Sequence, residues 1–433
     1  MNHLSRMFHA SGSETARRRS RMFGWALAGH FVIAANLAVS ALAHSLGWVT
    51  PVFAQTVLWS VLPYWLSFML LDNTLHIPSI EGNSIVVTVT LVPFIFLLVL
   101  FAMFHLEYSR GAVVLGYLTT LLWVLKGYRR FVKDYVPVYG YSNDADLAQL
   151  KRLLHATGPR GKPSACTFRK LESLDGAVGC DGLLVDRFSA SDPERTRTLA
   201  HLKLSHVRIY SIEKLSELLT GRVGLSHIDD NFLDDYADHY FYNLIKRAAD
   251  IVSVLVLTPV ALPLSLLVAL AIRLESPGAA IFKQVRSGLN GMPFTIYKFR
   301  SMTATGEATP QFAAHADPRV TAVGRLIRRC RLDELPQLWN VLKGDMSMIG
   351  PRPEQVPMVK QFSDTIPFYP YRHLVRPGLS GWAQVQQGYV SNEEGTVTKL
   401  SYDLYYVKHC SLALDLLIGA KTIHTILTGF GAR

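Results

Sequence analysis

Four long stretches of the chain contain no Asp, Glu, Lys or Arg, and they constrain its fold more than any other feature. In chain order they are Gly24–Leu46, Val52–Leu71, Ile85–Leu106 and Gly111–Leu125. A helix needs about 20 apolar residues to cross a bilayer, where no water is present to bond to an open backbone. We therefore predict four transmembrane helices within residues 23–130, the last of them short for a span.

Basic residues flank this set of apolar runs on both sides. They are Arg17, Arg18, Arg19 and Arg21 before the first run, and Lys126, Arg129, Arg130 and Lys133 after the last. Because cytoplasmic loops carry the excess of Lys and Arg, both flanks are predicted to be cytosolic, which requires an even number of spans. The net charge of +11 then favours anionic lipids or phosphates as ligands. The basic runs lack the signatures of a nucleic-acid reader, so we expect no nucleic-acid partner.

Residues 131–222 have a different pattern, in which short apolar runs alternate with helical ones. VPVYGY, DGLLVD and HVRIYS read as strands, and the segments between them read as helices. This alternation predicts a small parallel α/β domain with a Rossmann-like order of elements. The glycine pattern of a nucleotide-binding loop is missing after Gly140, so a structural or regulatory role is favoured over nucleotide binding. A polar, acidic linker over 223–237 follows.

A fifth apolar run, Ile251–Ile272, can be interpreted in two ways. It has 22 uncharged residues, enough to span a bilayer. Its middle holds Thr258-Pro259, with Pro263 one turn later, and proline removes a backbone donor and kinks a helix. Basic residues flank both ends, as expected if the helix enters the membrane, bends and returns to the same face. From the residues alone, a kinked span and a re-entrant helix over 244–273 are equally supported.

The stretch RLDELPQLWN places two acids, Asp333 and Glu334, side by side behind a set of arginines. A helix is predicted to begin there, with Asp333 as its N-cap and Pro336 in its first turn. A helix N-terminus attracts phosphate and keeps a nearby carboxylate ionised. Adjacent residues on a helix face different ways, so a division of labour is expected. One acid would attack phosphorus and the other would hold Mg²⁺.

Other basic residues stand in motif-like turns of the last 160 residues. YKFRSM contains Lys298 and Arg300, GPRPE places Arg352 between two prolines, and RPGLSGW contains Arg376. Arginine suits phosphate through its rigid fork of donors. Each of these side chains alone could be a surface charge, but together they favour anionic substrate chemistry at a membrane.

The stretches IYKFRSM, LDELPQLWNVLKGDMSMIGPRPE and RPGLSGWAQV closely resemble the bacterial sugar transferase family, the monotopic polyprenyl-phosphate phosphoglycosyl transferases. The resemblance covers about residues 238–433, and the four apolar runs with the α/β domain resemble the long form of the family. It implies transfer of a sugar 1-phosphate from a UDP-sugar to undecaprenyl phosphate, with release of UMP and with Mg²⁺ as cofactor. The long form suggests UDP-glucose or UDP-galactose as the donor.

The same resemblance implies roles for individual residues. Asp333 would be the nucleophile, and Glu334 would assist through the metal or as a base. Arg328 would lie near the polyprenyl phosphate, and Arg352 and Arg376 would face the nucleotide diphosphate. Thr258-Pro259 stands where the family breaks its re-entrant helix hairpin at Ser-Pro, which favours re-entry and a cytosolic active site at the bacterial inner membrane.

The predicted organisation is therefore a membrane protein with three parts. They are an N-terminal four-helix transmembrane bundle behind a cytosolic tail (1–22), a small α/β domain, and a mostly α-helical catalytic domain (238–433) with a re-entrant hairpin. The last apolar run, Ser411–Thr428, could lie on a membrane surface or pack within the domain. A homodimer is expected. Two rival functions stay open: a non-catalytic scaffold for polysaccharide assembly, and a transferase that releases UDP.

Overall fold

A computed structural model describes most of the chain as two compact units, residues 1–221 and 222–433. The described residues are 14–47, 50–74, 82–132, 135–155, 165–186, 193–205, 207–225, 228, 240–303, 319–387 and 393–428. Most of the predicted tail and most of the predicted linker lie outside these ranges. We describe each unit by itself.

The first unit begins with six helices, α1 to α6. Their bounds are Glu14–Ala28, His30–Ser45, Pro51–Trp59, Val61–Thr74, Gly82–Met103 and Arg110–Phe131. The first two pairs are each interrupted by a single residue, Gly29 or Ser60, and each pair forms one long apolar element. The last helix is longer than the predicted run, because the helix continues through its basic end to Phe131. Its 22 residues span about 33 Å, enough for a bilayer core.

Five helices of the described chain are long and apolar enough to cross a membrane, four in the first unit and one in the second. Within the first unit, Trp25 and Trp123 stack at 4.2 Å, and each indole N–H donates to the other residue's carbonyl. Gly29 lies against Tyr64, whose hydroxyl would be 1.8 Å from an added Cβ. Close packing at these positions holds the helices together in a membrane protein.

The rest of the first unit is a parallel four-stranded sheet with helices between the strands. Its elements are β1 (Val138–Tyr141), α7 (Asp144–His155), β2 (Thr167–Lys170), β3 (Gly182–Leu184), α8 (Pro193–Leu204), β4 (Ile209–Tyr210) and α9 (Ile212–Thr220). The strand order is β2-β1-β3-β4, which confirms the predicted small parallel sheet. Gly140 lies inside β1, where an added Cβ would be 2.6 Å from Leu171, so this glycine serves packing.

The second unit is mostly helical, with two short pairs of strands among its described residues. Its elements are α10 (Tyr240–Glu275), β5 (Ile281–Ser287), β6 (Pro293–Phe299), α11 (Ala322–Arg329), α12 (Gln337–Lys343), β7 (Ser347–Ile349), α13 (Val356–Thr365), β8 (Gly378–Ser380), α14 (Trp382–Gln386), α15 (Glu393–His409) and α16 (Leu412–Thr428). The strands β5 and β6 form an antiparallel hairpin, and β7 pairs with β8 in parallel. Leu414, Leu417 and Ile418 are buried, so α16 packs within the unit.

The apolar helix α10 is a single 36-residue helix that contains both Pro259 and Pro263. The Thr258 hydroxyl donates to the carbonyl of Val254 at 2.7 Å. Pro259 has no N–H, so the carbonyl of Leu255, four residues earlier, lacks its usual helical donor. The Val254 carbonyl is the neighbouring one. The helix therefore runs through the predicted break.

Both ends of α10 pack against the body of the second unit, whereas its middle does not. Near the start, Asp250 accepts from the Ser347 hydroxyl and the Met348 N–H, both at 3.0 Å. Near the end, Ile272 belongs to a buried cluster with Phe299 and Ile327. Between them lies a row of exposed apolar side chains: Leu255, Val256, Leu257, Val260, Leu262, Leu266 and Leu267.

Candidate active site

The two adjacent acids lie in a short 3₁₀ turn, Leu332–Glu334, and not at the N-cap of a helix. Arg331 enters the turn with a left-handed φ of 56°, and the next helix, α12, begins only at Gln337. Pro336 holds the N-cap position, and no side chain caps that helix end. The predicted N-cap role of Asp333 is therefore wrong. The N–H groups of Leu338 and Trp339 donate to the backbone carbonyls of Leu335 and Pro336, so the first turn of the helix is satisfied without the acid.

Glu334 is buried and surrounded by three cations. Its Oε1 accepts from Arg352 at 2.9 Å and from Lys298 at 3.4 Å, and its Oε2 lies 3.6 Å from Arg331. The side chain is 9% exposed. Burial alone would raise the pKa of Glu334, but the charges of Arg352, Lys298 and Arg331 outweigh it and lower that pKa far below its usual value. Glu334 is thus held as a carboxylate at any physiological pH.

The pKa of Asp333 is shifted in the direction opposite to that of Glu334. Burial first, and then the charge of Glu334, raise its pKa above the usual value, while Lys298, Arg352 and Arg328 act against the rise. Among the described residues, no group donates a hydrogen bond to the Asp333 carboxylate. The two acids thus differ in ionisation and in contacts: one is committed to cations, and the other has its oxygens available to a ligand.

Of the two cations predicted from YKFRSM, only Lys298, in the strand β6, reaches the acids. Lys298 contacts Glu334, and burial lowers the pKa of the ammonium despite that contact. Arg300, two residues on, donates instead to the carbonyls of Ser276 and Pro277 just after α10. The strand is held in place by Asn340 of α12, whose amide bonds to the N–H of Tyr297 and the carbonyl of Thr295.

Arg352 reaches Glu334 from the turn 350–354, which is tied down by its backbone and by its last residue. The Gly350 N–H donates to Ser380, and Pro351 accepts from Gly378. Glu354 contacts Lys399 and Arg286. Burial would raise its pKa, but Lys399 and Arg372 outweigh it and lower the pKa of Glu354 to about 2. Sequence reasoning selected Arg352 but missed this support.

The described contacts of Arg376 are with the end of α12 and not with the acid pair. Its Nε donates to the carbonyl of Gly344 at 3.1 Å, at the C-terminal end of α12. Arg247 binds the same helix end through the carbonyls of Val341 and Leu342. Cations at a helix C-terminus complement the free carbonyls and the helix dipole. The predicted contact of Arg376 with a nucleotide diphosphate therefore stays a prediction, as does that of Arg300.

The acids can offer a metal ion few ligands of their own. No group of three His, Cys, Asp or Glu side chains suited to a metal occurs in the part of the chain that the structure describes. Glu334 Oε2 has only the longer contact with Arg331, and both oxygens of Asp333 are unbonded, so three carboxylate oxygens from two carboxylates remain. This donor set fits Mg²⁺, which is commonly bound by one or two carboxylates together with substrate phosphates and water.

Comparison with known proteins identifies the second unit's family. The model of a family described as "Bacterial sugar transferase" matches residues 241–429. A UDP-N-acetylgalactosamine-undecaprenyl-phosphate N-acetylgalactosaminephosphotransferase of Aeromonas hydrophila is 45% identical over 334 residues, which are 76% of this chain and 76% of that protein.

Two further relatives match over shorter lengths. A UDP-glucose:undecaprenyl-phosphate glucose-1-phosphate transferase of Caulobacter vibrioides is 44% identical over 189 residues, 43% of this chain and 71% of that protein. An exopolysaccharide production protein of Rhizobium leguminosarum is 40% identical over 195 residues, 43% of this chain and 96% of that protein. The identity to the Aeromonas protein extends over three quarters of both chains, and the matched residues include the acid pair and its cations. The protein described here therefore belongs to the bacterial sugar transferase family.

Proposed function

We propose that the protein transfers a sugar 1-phosphate from a UDP-sugar to undecaprenyl phosphate, releases UMP and so initiates the synthesis of a surface polysaccharide. The observation that carries the proposal is the acid pair with opposite pKa shifts inside a ring of cations. The relatives named as undecaprenyl-phosphate sugar phosphotransferases support it. A purely structural scaffold has no use for such a cluster, because burying so many charges is costly.

In the proposed reaction Asp333 attacks first. Its carboxylate forms a bond to the sugar-bearing phosphorus of the UDP-sugar, and the bond from that phosphorus to the UMP oxygen breaks, so UMP leaves with the electron pair. An oxygen of undecaprenyl phosphate then attacks the same phosphorus and displaces the Asp333 carboxylate. Both steps pass through a crowded anionic centre, which cationic side chains stabilise.

The cations around Glu334 have a defined part in these steps. Lys298 and Arg352 neutralise the diphosphate as its charge shifts toward the leaving UMP. Arg328, which acts electrostatically on Asp333, is positioned to attract the polyprenyl phosphate. Glu334 keeps these cations in place before the substrate arrives and would hold the Mg²⁺. When bound, that ion would supply further charge neutralisation to the diphosphate.

We also propose that α10, although helical throughout, bends at Thr258-Pro259 and returns to the membrane face it left. The ends of a spanning helix lie about 30 Å apart on opposite faces of the bilayer. Here the same unit packs against both ends, through Asp250 at one and Ile272 at the other, while the apolar middle is exposed. A domain on one side of the membrane can contact both ends only if both lie on that side. Since UDP-sugars are cytosolic, the active site would face the cytosol at the inner membrane.

The sugar is the least constrained part of the proposal. The expected donor was UDP-glucose or UDP-galactose. The relative that matches over 76% of both chains is named for N-acetylgalactosamine, whereas the glucose transferase from Caulobacter matches over 43% of this chain. The longer match favours a UDP-N-acetylhexosamine, so both classes belong in a substrate panel.

Identification of the nucleotide product tests the proposed function. Purified full-length protein in nanodiscs is supplied with undecaprenyl phosphate, Mg²⁺ and each of UDP-glucose, UDP-galactose and UDP-N-acetylgalactosamine. We expect repeated release of UMP from at least one donor. When the lipid is omitted, we expect no more than one UMP per protein molecule. Release of UDP would point to transfer of the sugar alone, and absence of any nucleotide product would favour the scaffold.

A further inference from the structure

A buried ion pair lies behind the acid cluster. Arg372 belongs to the 3₁₀ turn Tyr369–Leu374, and Asp403 belongs to α15. Only 2% of Arg372 and 1% of Asp403 is exposed. The Arg372 Nε and Nη2 both donate to Asp403 Oδ2, at 3.1 and 2.7 Å. Because removing two charges from water commonly costs more than their attraction returns, stability alone is a weak reason for such a pair.

The remaining donors of Arg372 show what the pair holds. Its Nη2 also donates to the backbone carbonyl of Arg352 at 2.9 Å, and its Nη1 donates to the Tyr369 hydroxyl at 3.2 Å. Arg352 in turn bonds to Glu334. A continuous series of contacts thus runs from α15 through Arg372 to the backbone that carries Arg352, and from its guanidinium to the acid pair.

The geometry of this series depends on the guanidinium group. A planar fork can bond to a carboxylate and to a nearby carbonyl at once, whereas the ammonium of lysine is a single flexible point charge. Arg352 stands between Pro351 and Pro353, whose rings restrict the backbone. A fixed carbonyl in such a restricted turn determines the direction in which the Arg352 side chain leaves.

We propose that Arg372, oriented by Asp403, is a positioning residue that fixes the turn carrying Arg352 and so sets the place of the Arg352 guanidinium beside Glu334. The inference rests on the proposed phosphotransfer, whose turnover is its readout. If Arg352 is displaced, Glu334 loses its closest cation, and the site loses a guanidinium that would neutralise the diphosphate as charge moves to the leaving UMP.

The test compares the kinetics of UMP release in matched variants of the full-length protein. For Arg372→Lys we expect a fall in kcat of up to about 100-fold with little change in the KM for the UDP-sugar, because Arg352 would act as charge moves to the leaving UMP. Arg222→Gln is the control, because Arg222 lies 4.5 Å over the ring of Tyr402, next to Asp403 in α15, without a described bond to Arg352. We expect its kcat and KM to match those of the wild type.

A double variant separates positioning from a general structural role. If Arg372 acts through Arg352, then Arg352→Gln with Arg372→Lys is no slower than Arg352→Gln alone. Independent losses that multiply, or an unchanged kcat in Arg372→Lys, would overturn the proposal. Tyr369→Phe removes one acceptor of Arg372 and should give a smaller fall in kcat that is also absent in the Arg352→Gln background, so it carries the test if Arg372→Lys does not fold. A wild-type protein that releases no UMP would refute the proposed function instead.

Discussion

At the level of single residues, two neighbouring acids with different environments carry the proposed chemistry. Glu334 is ionised by three cations, and Asp333 is pushed toward protonation by burial and by Glu334. Asp333 must lose its proton to attack phosphorus. The acid limb of activity should therefore belong to Asp333 and lie above the pH at which an ordinary aspartate ionises.

Removing a cation near Asp333 should move that limb. Arg328 lowers the pKa of Asp333, so Arg328→Gln raises it further, and activity then falls away at a higher pH than in the wild type. We expect this shift to be small, since Arg328 is the weakest of the three cations acting on Asp333. The matched control is Arg325→Gln on the exposed side of the same helix, whose profile should stay in place. Equal shifts in the two variants would contradict the assignment.

Glu354 leads to a prediction about stability and pH. Its pKa is about 2 in the folded protein against an ordinary value of 4.5. The stabilisation by its charge is therefore complete above about pH 4.5 and is lost as the pH falls toward 2. Glu354→Gln should lower the free energy of unfolding by about 3 kcal/mol at neutral pH. Thermal melts in detergent should show the two proteins converging in acid, and a constant difference across pH would contradict the prediction.

The sequence predicted these residues unevenly, for a physical reason. Asp333, Glu334, Arg328 and Arg352 could be found because like charges stand together or beside prolines within a few positions. The pairs Arg372–Asp403 and Glu354–Lys399 join residues 31 and 45 positions apart, and no local pattern marks them. The predicted N-cap was wrong because a 3₁₀ turn and Pro336 separate the acids from the helix.

At the scale of elements, the apolar helices were predictable because a bilayer imposes length and composition on any span. Short turns set by backbone contacts were not, and the partner of Arg300 is an example. Arg300 is close to Lys298 in the sequence, but its guanidinium donates to the carbonyls that follow α10. Alternate residues of a strand point the same way only while the strand lasts, and β6 ends at Phe299.

Re-entry of α10 can be tested by labelling its two ends. In a protein without native cysteines, Leu244→Cys and Leu274→Cys each place a thiol at an exposed position near one end of the helix. A membrane-impermeant maleimide added to inverted inner-membrane vesicles, which expose the cytosolic face, should label both. The same reagent added to spheroplasts should label neither. A spanning helix would give one labelled position from each side, and Val260→Cys in the exposed apolar middle serves as the protected control.

At the scale of the whole molecule, every contact of the acid cluster with a described residue lies within residues 222–433. A relative from Rhizobium consists almost entirely of the part that matches this chain over 195 residues. We therefore expect residues 222–433, reconstituted in nanodiscs, to release UMP at a rate within about tenfold of the full chain, because no described charge contact of the site is lost. A folded but inactive fragment would show that the first unit takes part in the chemistry.

If Asp333 carries the sugar phosphate, the covalent adduct is visible by intact-protein mass spectrometry. The protein is incubated with its UDP-sugar and Mg²⁺ in the absence of undecaprenyl phosphate, and the mass is compared for the wild type, Asp333→Asn and Asp364→Asn. Asp364 is an exposed acid on α13 that serves as the matched control. We expect one added sugar phosphate, mapped to Asp333, in the wild type and in Asp364→Asn, and none in Asp333→Asn. An adduct on another residue, or normal UMP release by Asp333→Asn, would contradict it.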